Sequence, residues 1–267
     1  MYDFNSMVYV LQNIMQDSKV EINFQDCNLR PEHVNHLANV LCEKSSIIQI
    51  KGLNLSGNTL SNSLAVDFFN KGAAALKSLK VLILRNCDIG TTLDIKAILS
   101  TLTQSTSPTL THFDLSFNRI SMSFLQVLQQ HLESYGTFNS LQNIGLKGSL
   151  NNDVTTSFLA NFSDALSSKC KRLRQLDLSE NYLGEPGNPA LSKVISQLLS
   201  LGRDFNLCLN DEYMSEVHDE FVCVMEESIK KERNNKSYYG SWSNCWSWAL
   251  RYKYLDESFD GKWTAQV

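Results

Sequence analysis

The stretch that decides the fold runs Leu79-Lys80-Val81-Leu82-Ile83-Leu84-Arg85-Asn86-Cys87-Asp88-Ile89. Its spacing returns at Ile50, Leu53, Leu55, Asn58 and Leu60, at Leu110, Phe113, Leu115, Asn118 and Ile120, and at Leu173, Leu176, Leu178, Asn181 and Leu183. Three looser copies stand in phase. The first has Ile22, Phe24, Cys27 and Leu29, with Lys19 at the opening place. The next has Leu141, Ile144 and Leu146, with Ser149 where Asn or Cys is expected, and the last has Phe205, Leu207 and Asn210. The Asn/Cys place therefore falls at 27, 58, 87, 118, 149, 181 and 210, at intervals of 31, 29, 31, 31, 32 and 29. A fixed period of this size is the mark of structural units that stack on their neighbours.

Each copy reads as a short strand with alternate aliphatic side chains turned inward. The Asn or Cys stands at the bend after the strand, where its side chain can pair backbone groups that the turn leaves open. Cys27 and Cys87 are on this reading ladder residues and not nucleophiles. Between strands the period changes to helical. Val34, Leu37, Ala38 and Leu41 keep the i, i+3, i+4, i+7 spacing, as do Ile95, Ile98, Leu99 and Leu102, and Leu191, Val194, Ile195 and Leu198. Ser121 and Asp153 are placed as caps of the two helices between. A helix is wider than a strand, so the stack is expected to curve with its strands inside.

These motifs resemble the leucine-rich repeat, in its ribonuclease-inhibitor-like class, over residues 19–212. The resemblance implies an α/β solenoid: a horseshoe of about seven repeats, with a parallel sheet on the concave face, helices on the convex face and helical caps at the ends. The divergent, Asn-rich repeats are also similar to leucine-rich-repeat effectors of intracellular bacterial pathogens, which implies a host protein or another effector as partner. In that case the site of action is the host-cell cytoplasm.

The ends differ from the repeats. Phe4, Met7, Val8, Leu11, Ile14 and Met15 predict an amphipathic N-terminal cap over residues 1–18. Met214, Val217, Phe221, Val222, Met225 and Ile229 predict a capping helix over 213–236. Residues 237–267 hold all four tryptophans, Trp242, Trp246, Trp248 and Trp263. This aromatic tail reads as a pad over the last repeat, as a contact segment offering Trp242, Trp246 and Trp248, since aromatic residues are favoured interface anchors, or as a membrane-surface segment, for which Arg251 and Lys253 are few cations.

Composition narrows the function. The net charge of −4 does not supply the basic field that non-specific nucleic-acid binding needs. No apolar run is long enough to span a membrane, and Met1-Tyr2-Asp3-Phe4-Asn5 lacks the basic start of a secretory signal. Seven irregularly spaced cysteines predict a reducing, cytoplasmic setting. Catalytic motifs are missing: Asn244-Cys245-Trp246 has no histidine after His218 to activate the thiol, and His33 and His36 have no third ligand at metal-site spacing. No cofactor, metal or enzymatic activity is expected.

What remains is binding of a folded protein by a chain that is monomeric when free. The strand positions that alternate with the inward leucines face outward. Among them Val81, Ile83, Arg85, His112, Asp114 and Lys147, with Phe117, Arg119 and Tyr182 from the following loops, form the expected contact cluster. Asp114 and Asp177 lie in Leu-Asp-Leu-Ser strings and read first as scaffold. The resemblance implies an inhibitor that covers an enzyme's active site. The alternative it allows is a GTPase activator, with Arg85 or Arg119 stabilising charge in phosphoryl transfer.

Overall fold

A computed structural model describes residues 4–13, 18–60, 63–103, 109–134, 138–185, 188–199 and 205–210. By its internal contacts the chain divides into a unit of residues 1–221 and one of residues 222–267, and every described residue belongs to the first. The predicted capping helix over 213–236 and the tail with Trp242, Trp246 and Trp248 lie outside the described residues.

Strands and helices alternate along the chain. After α1 (Phe4–Gln12) come β1 (Ser18–Asn23), α2 (Pro31–Lys44), β2 (Ile48–Asn54), α3 (Leu64–Leu76), β3 (Val81–Ile83) and α4 (Thr92–Thr103). Then follow β4 (His112–Asp114), α5 (Met122–Ser134), β5 (Asn143–Gly145), α6 (Thr156–Lys169), β6 (Gln175–Asp177), α7 (Pro189–Leu199) and β7 (Asn206–Cys208). The seven strands form one open sheet in sequence order, and every neighbouring pair is parallel. This is the leucine-rich-repeat solenoid architecture.

One register line carries the core. Ile22, Leu53, Leu82, Phe113, Ile144, Leu176 and Leu207 sit side by side across the sheet, all buried. The apolar stripes of α2, α4 and α7 predicted from the sequence are buried against it, with Leu37, Leu41, Ile95, Ile98, Leu191 and Ile195 showing no exposure. Strands pack about 4.8 Å apart and helices about 8–10 Å apart. A stack with both on opposite sides therefore bends toward its strands.

Two details of phase differ from the sequence reading. Val20, not Lys19, pairs with Ile50; the register then slips at Val20/Glu21, and Lys51 is the extra residue on β2. Such a bulge accommodates one more residue by bending the strand locally. In the last repeat Leu207, not Phe205, continues the inward line, so Asn210 falls two places short of the Asn/Cys position. The outward pair there remains Asn206 and Cys208.

At the bends after β2, β4 and β6 three asparagines each bridge to the preceding coil through several bonds, and Asn210 after β7 reaches Glu180 N and Asn181 O. The Asn58 amide Nδ2 donates to Phe24 O (2.7 Å) and Leu55 O (2.8 Å), and its Oδ1 accepts from Leu29 N (2.9 Å). Asn118 repeats this with Leu84 O, Leu115 O and Cys87 N, and Asn181 with Leu146 O, Leu178 O and Ser149 N. The places between hold smaller donors. Cys87 Sγ reaches back to Leu55 O (3.2 Å), whereas Ser149 Oγ donates only to Leu146 O of its own coil (2.6 Å).

Helix starts follow the same economy. Ser121 caps α5, accepting from Phe124 N (3.2 Å). Asp153 does not cap α6; its carboxylate accepts from Met122 N of the preceding helix (3.0 Å), and Thr155 caps α6 instead. Burying an unpaired donor or acceptor costs about 1–3 kcal/mol. Asn118→Ala is therefore expected to lower stability by about 3 kcal/mol, since it orphans Cys87 N and Leu84 O together, while Cys87→Ser costs about 1 kcal/mol or less. Urea unfolding of the two variants checks the order; equal losses would show that the amide ladder does not carry the joint.

Candidate functional site: the outward face of the sheet

The strands put two residues each on the outward face, and register aligns them into rows. One row runs Glu21, Gly52, Val81, His112, Asn143, Gln175 and Asn206; the other runs Asn23, Asn54, Ile83, Asp114, Gly145, Asp177 and Cys208. Val81 and Ile83 are half-buried, not fully exposed, because the neighbouring strands flank them. His112 stands next to Val81, and its Nδ1 lies 2.8 Å from Thr111 Oγ1. Burial lowers the His112 pKa from the ordinary histidine value.

The second row shows why some outward residues are scaffold. Asn23, Asn54, Asp114 and Asp177 each accept the backbone N–H two residues on, at 2.9–3.0 Å, and so build the turn that ends the strand. Asp114 is 3% exposed and also takes the Arg85 guanidinium, with Nε 2.5 Å from Oδ2. Gly145 is small because Asp114 leans over it: a Cβ there would meet the carboxylate Oδ1 at 2.4 Å. Lys147 pairs with Glu180 of the next coil at 3.0 Å. Arg85 and Lys147 thus cross from one coil to the next in the same sense.

The turns after β1 to β6 each hold one residue with positive φ at the same place. Asp26, Gly57, Asn86, Phe117, Gly148 and Glu180 occupy it. Glycine, asparagine and aspartate are the usual occupants of that conformation. Phenylalanine is not, yet Phe117 adopts φ 59° with its side chain 43% exposed as a residue. Its ring leans toward the next coil, where a Cβ on Gly148 would come within 3.0 Å of the ring edge. The Lys147 ammonium lies 6.0 Å from the ring centroid, within cation–π range. Tyr182 is 66% exposed, with its hydroxyl donating to Glu185 at 2.7 Å, and Arg119 is exposed on the same turn side.

The structure therefore brings Val81, Ile83, Arg85, His112 and Asp114 together on adjoining strands, with Phe117 and Lys147 beside them at the strand ends. Tyr182 stands two coils further on, in the loop after β6. Sequence periodicity did not reveal the positive φ at Phe117; the recurrence of Gly and Asn two places after the last inward residue was the available signal.

Chemistry is sparse here. Among the described residues no group of three His, Cys, Asp or Glu side chains could hold a metal ion. His33 is occupied: its Nδ1 accepts Arg30 N (3.2 Å) and its ring stacks on Phe4, centroids 4.6 Å apart. A cavity of about 10 Å³ behind β4 and β5 is lined only by apolar side chains, among them Phe113, Leu128 and Phe138, and is no larger than one water needs. No helix among the described residues is long and apolar enough to cross a membrane.

Two measurements follow from the buried groups. Burial pushes the Cys87 and Cys170 thiols up to about 12, while Cys42 is exposed. At pH 8 a maleimide is expected to label Cys42 in the folded protein and to leave Cys87 and Cys170 untouched, as read by peptide mass spectrometry. His131 is buried against the edge of Phe138, and burial lowers its pKa from 6.5. The unfolded chain then takes up this proton first as pH falls, so the contribution is complete above 6.5 and is lost below it. Thermal midpoints from pH 7.5 to 5 are expected to fall less steeply in His131→Leu; an unchanged slope would assign the loss elsewhere.

No curated protein matches the chain. A family model described as Leucine Rich repeat matches residues 106–121, which span β4 and the Asn118 turn. With seven parallel strands in sequence order and a helix between each, that match supports a leucine-rich-repeat protein, a fold that serves in general as a protein-interaction module.

Proposed function

We propose that this chain binds a folded protein partner through the outward face of β3 to β6, with Phe117 as the central anchor. The observation that carries the reading is the cost accepted at Phe117. A residue other than glycine in the left-handed region gives up about 1–2 kcal/mol, and a half-exposed phenylalanine gains little by burial in return. Five other coils place Asp, Gly, Asn, Gly or Glu at the same turn, so the turn itself does not call for an aromatic ring. Strained residues of this kind gather where a surface binds.

The surroundings support the same reading. Val81 and Ile83 give a small apolar floor, and Arg85 and Lys147 are held in place by Asp114 and Glu180. An aromatic ring ringed by ordered polar groups is the usual composition of an interface hot spot. Occlusion of a partner's active site, and a host protein or another effector as that partner, are the specific forms we propose for this binding. An activator of a GTPase needs an arginine free to reach the nucleotide. Arg85 is engaged by Asp114 whereas Arg119 is exposed, so the arginines do not separate the two roles and the Phe117 turn is what favours binding.

The test separates stability from recognition. Phe117→Gly is expected to raise the thermal midpoint, because glycine accepts the turn without strain. The same variant is expected to weaken a partner isolated by affinity capture by roughly thirtyfold or more, the loss of about 2 kcal/mol typical of a hot spot. Calorimetric titration of that partner against both forms reads the change. Undiminished affinity in a stabilised variant would remove Phe117 from the interface.

A further inference from the structure

The edge of the sheet where the strands begin carries a second, separate feature. A backbone ladder runs across it: Lys80 N donates to Lys51 O (2.7 Å), Thr111 N to Lys80 O (2.8 Å), Gln142 N to Thr111 O (2.9 Å), Arg174 N to Gln142 O (2.7 Å) and Asn206 N to Arg174 O (2.6 Å). Five successive coils thus present Lys51, Lys80, Thr111, Gln142 and Arg174 in one file. Lys19 on β1 pairs with Gln49, two residues before Lys51, and so flanks the head of the file. The file holds three cations, with Lys19 as a fourth beside its head, on a chain whose net charge is −4; the Glu21 side chain packs over Gly52, the residue after Lys51. The two ion pairs formed by the described residues, Arg85–Asp114 and Lys147–Glu180, both lie at the other end of the strands.

The lysines at the head of the file are close enough to repel. Burial first, then the like charges of Lys80 and Lys19, lower the Lys51 pKa from its ordinary value. Lys51 is also the bulge residue, the one insertion that breaks the register between β1 and β2. A bulge re-aims its side chain, and this one puts a third ammonium beside two others. A ligand with negative charges at matching intervals would relieve the repulsion.

We propose that the Lys19–Lys51–Lys80 file is a contact site for an acidic, extended segment of a protein, laid across the starts of β1, β2 and β3. Neighbouring strands are about 4.8 Å apart, so the three ammonium groups span a stretch that two or three carboxylates of an extended peptide can match. A nucleic acid would need a far broader basic field to overcome the net negative charge. The site is separate from the Phe117 face, so each can fail without the other.

The probe is an acetylated, amidated hexaglutamate, titrated into the full chain labelled with 15N. Saturable shifts are expected at the amides of residues 19–21, 51–53 and 80–82, and they should weaken about fivefold or more as salt rises from 50 to 300 mM, since exposed charges are screened over such a range. Lys51→Gln with Lys80→Gln should abolish them while leaving the thermal midpoint and Phe117-dependent binding unchanged. Lys51→Glu with Lys80→Glu should transfer the response to hexalysine. Absent shifts, or shifts that survive both double variants, would overturn the proposal; tighter binding of a twelve-residue oligothymidylate at the same amides would overturn the choice of a protein segment.

Discussion

Among the described residues the strands end in turns that bury N–H and C=O groups away from water, and many of these groups are paired by the neighbouring coil. That requirement sets the rest. Asn58, Asn118 and Asn181 satisfy it with one side chain each, because an amide carries donors and an acceptor on the same rigid group. Once an asparagine bridges two coils their separation and register are fixed, and the inward line from Ile22 to Leu207 falls into place. The helices then have no choice but to lie on the other side, with their apolar stripes against that line.

The bridging alternates. Full amide bridges join coils one and two, three and four, and five and six, and at the end Asn210 ties coil seven to coil six through Glu180 N and Asn181 O. Between them stand Cys87, whose thiol is a weaker donor, and Ser149, which bonds only within its own coil. The outward face alternates in step: Asn54, Asp114 and Asp177 build turns, whereas Ile83 and Gly145 leave theirs to other groups and are followed by Arg85 and Lys147. Asn23 builds the turn of the first coil as well; from the second coil to the sixth, scaffold duty on the even coils releases the odd ones to carry apolar and cationic side chains. The outward surface is patterned by the same constraint that holds the core.

Much of this was legible in the chain. Leu53, Leu82, Phe113 and Leu176 announced both the strand and its inward direction, because a period near thirty with period two inside it has one good solution. The helical stripes at Val34–Leu41, Ile95–Leu102 and Leu191–Leu198 were equally plain. What periodicity could not carry was local. Phe205 and Leu207 are both apolar and two apart, so either could continue the inward line, and only strand pairing decides. Val20 gained its place from a bulge that a fixed spacing cannot contain. Asp153 lies at the right distance to cap its own helix but serves the helix before it, since in a solenoid the nearest free N–H can belong to the adjacent coil. At the candidate site, residue type pointed to Val81, Ile83 and Phe117, but not to how far strands would cover the first two.

Phe117 gains its weight from that last point. Val81 and Ile83 are flanked by their neighbours, so their apolar surface needs no partner to explain it. Phe117 is at once more exposed and conformationally more expensive, and Gly148 on the next coil is small enough to leave its ring room. A turn that any of Gly, Asn or Asp would form at lower cost is held by an aromatic residue, and the glycine that the next coil's own turn calls for leaves the ring room. Stability alone would favour replacing the ring; the molecule keeps it, together with Lys147 over its face and Glu180 steadying that lysine. Such a group makes physical sense when its free energy is recovered in contact with something outside the chain.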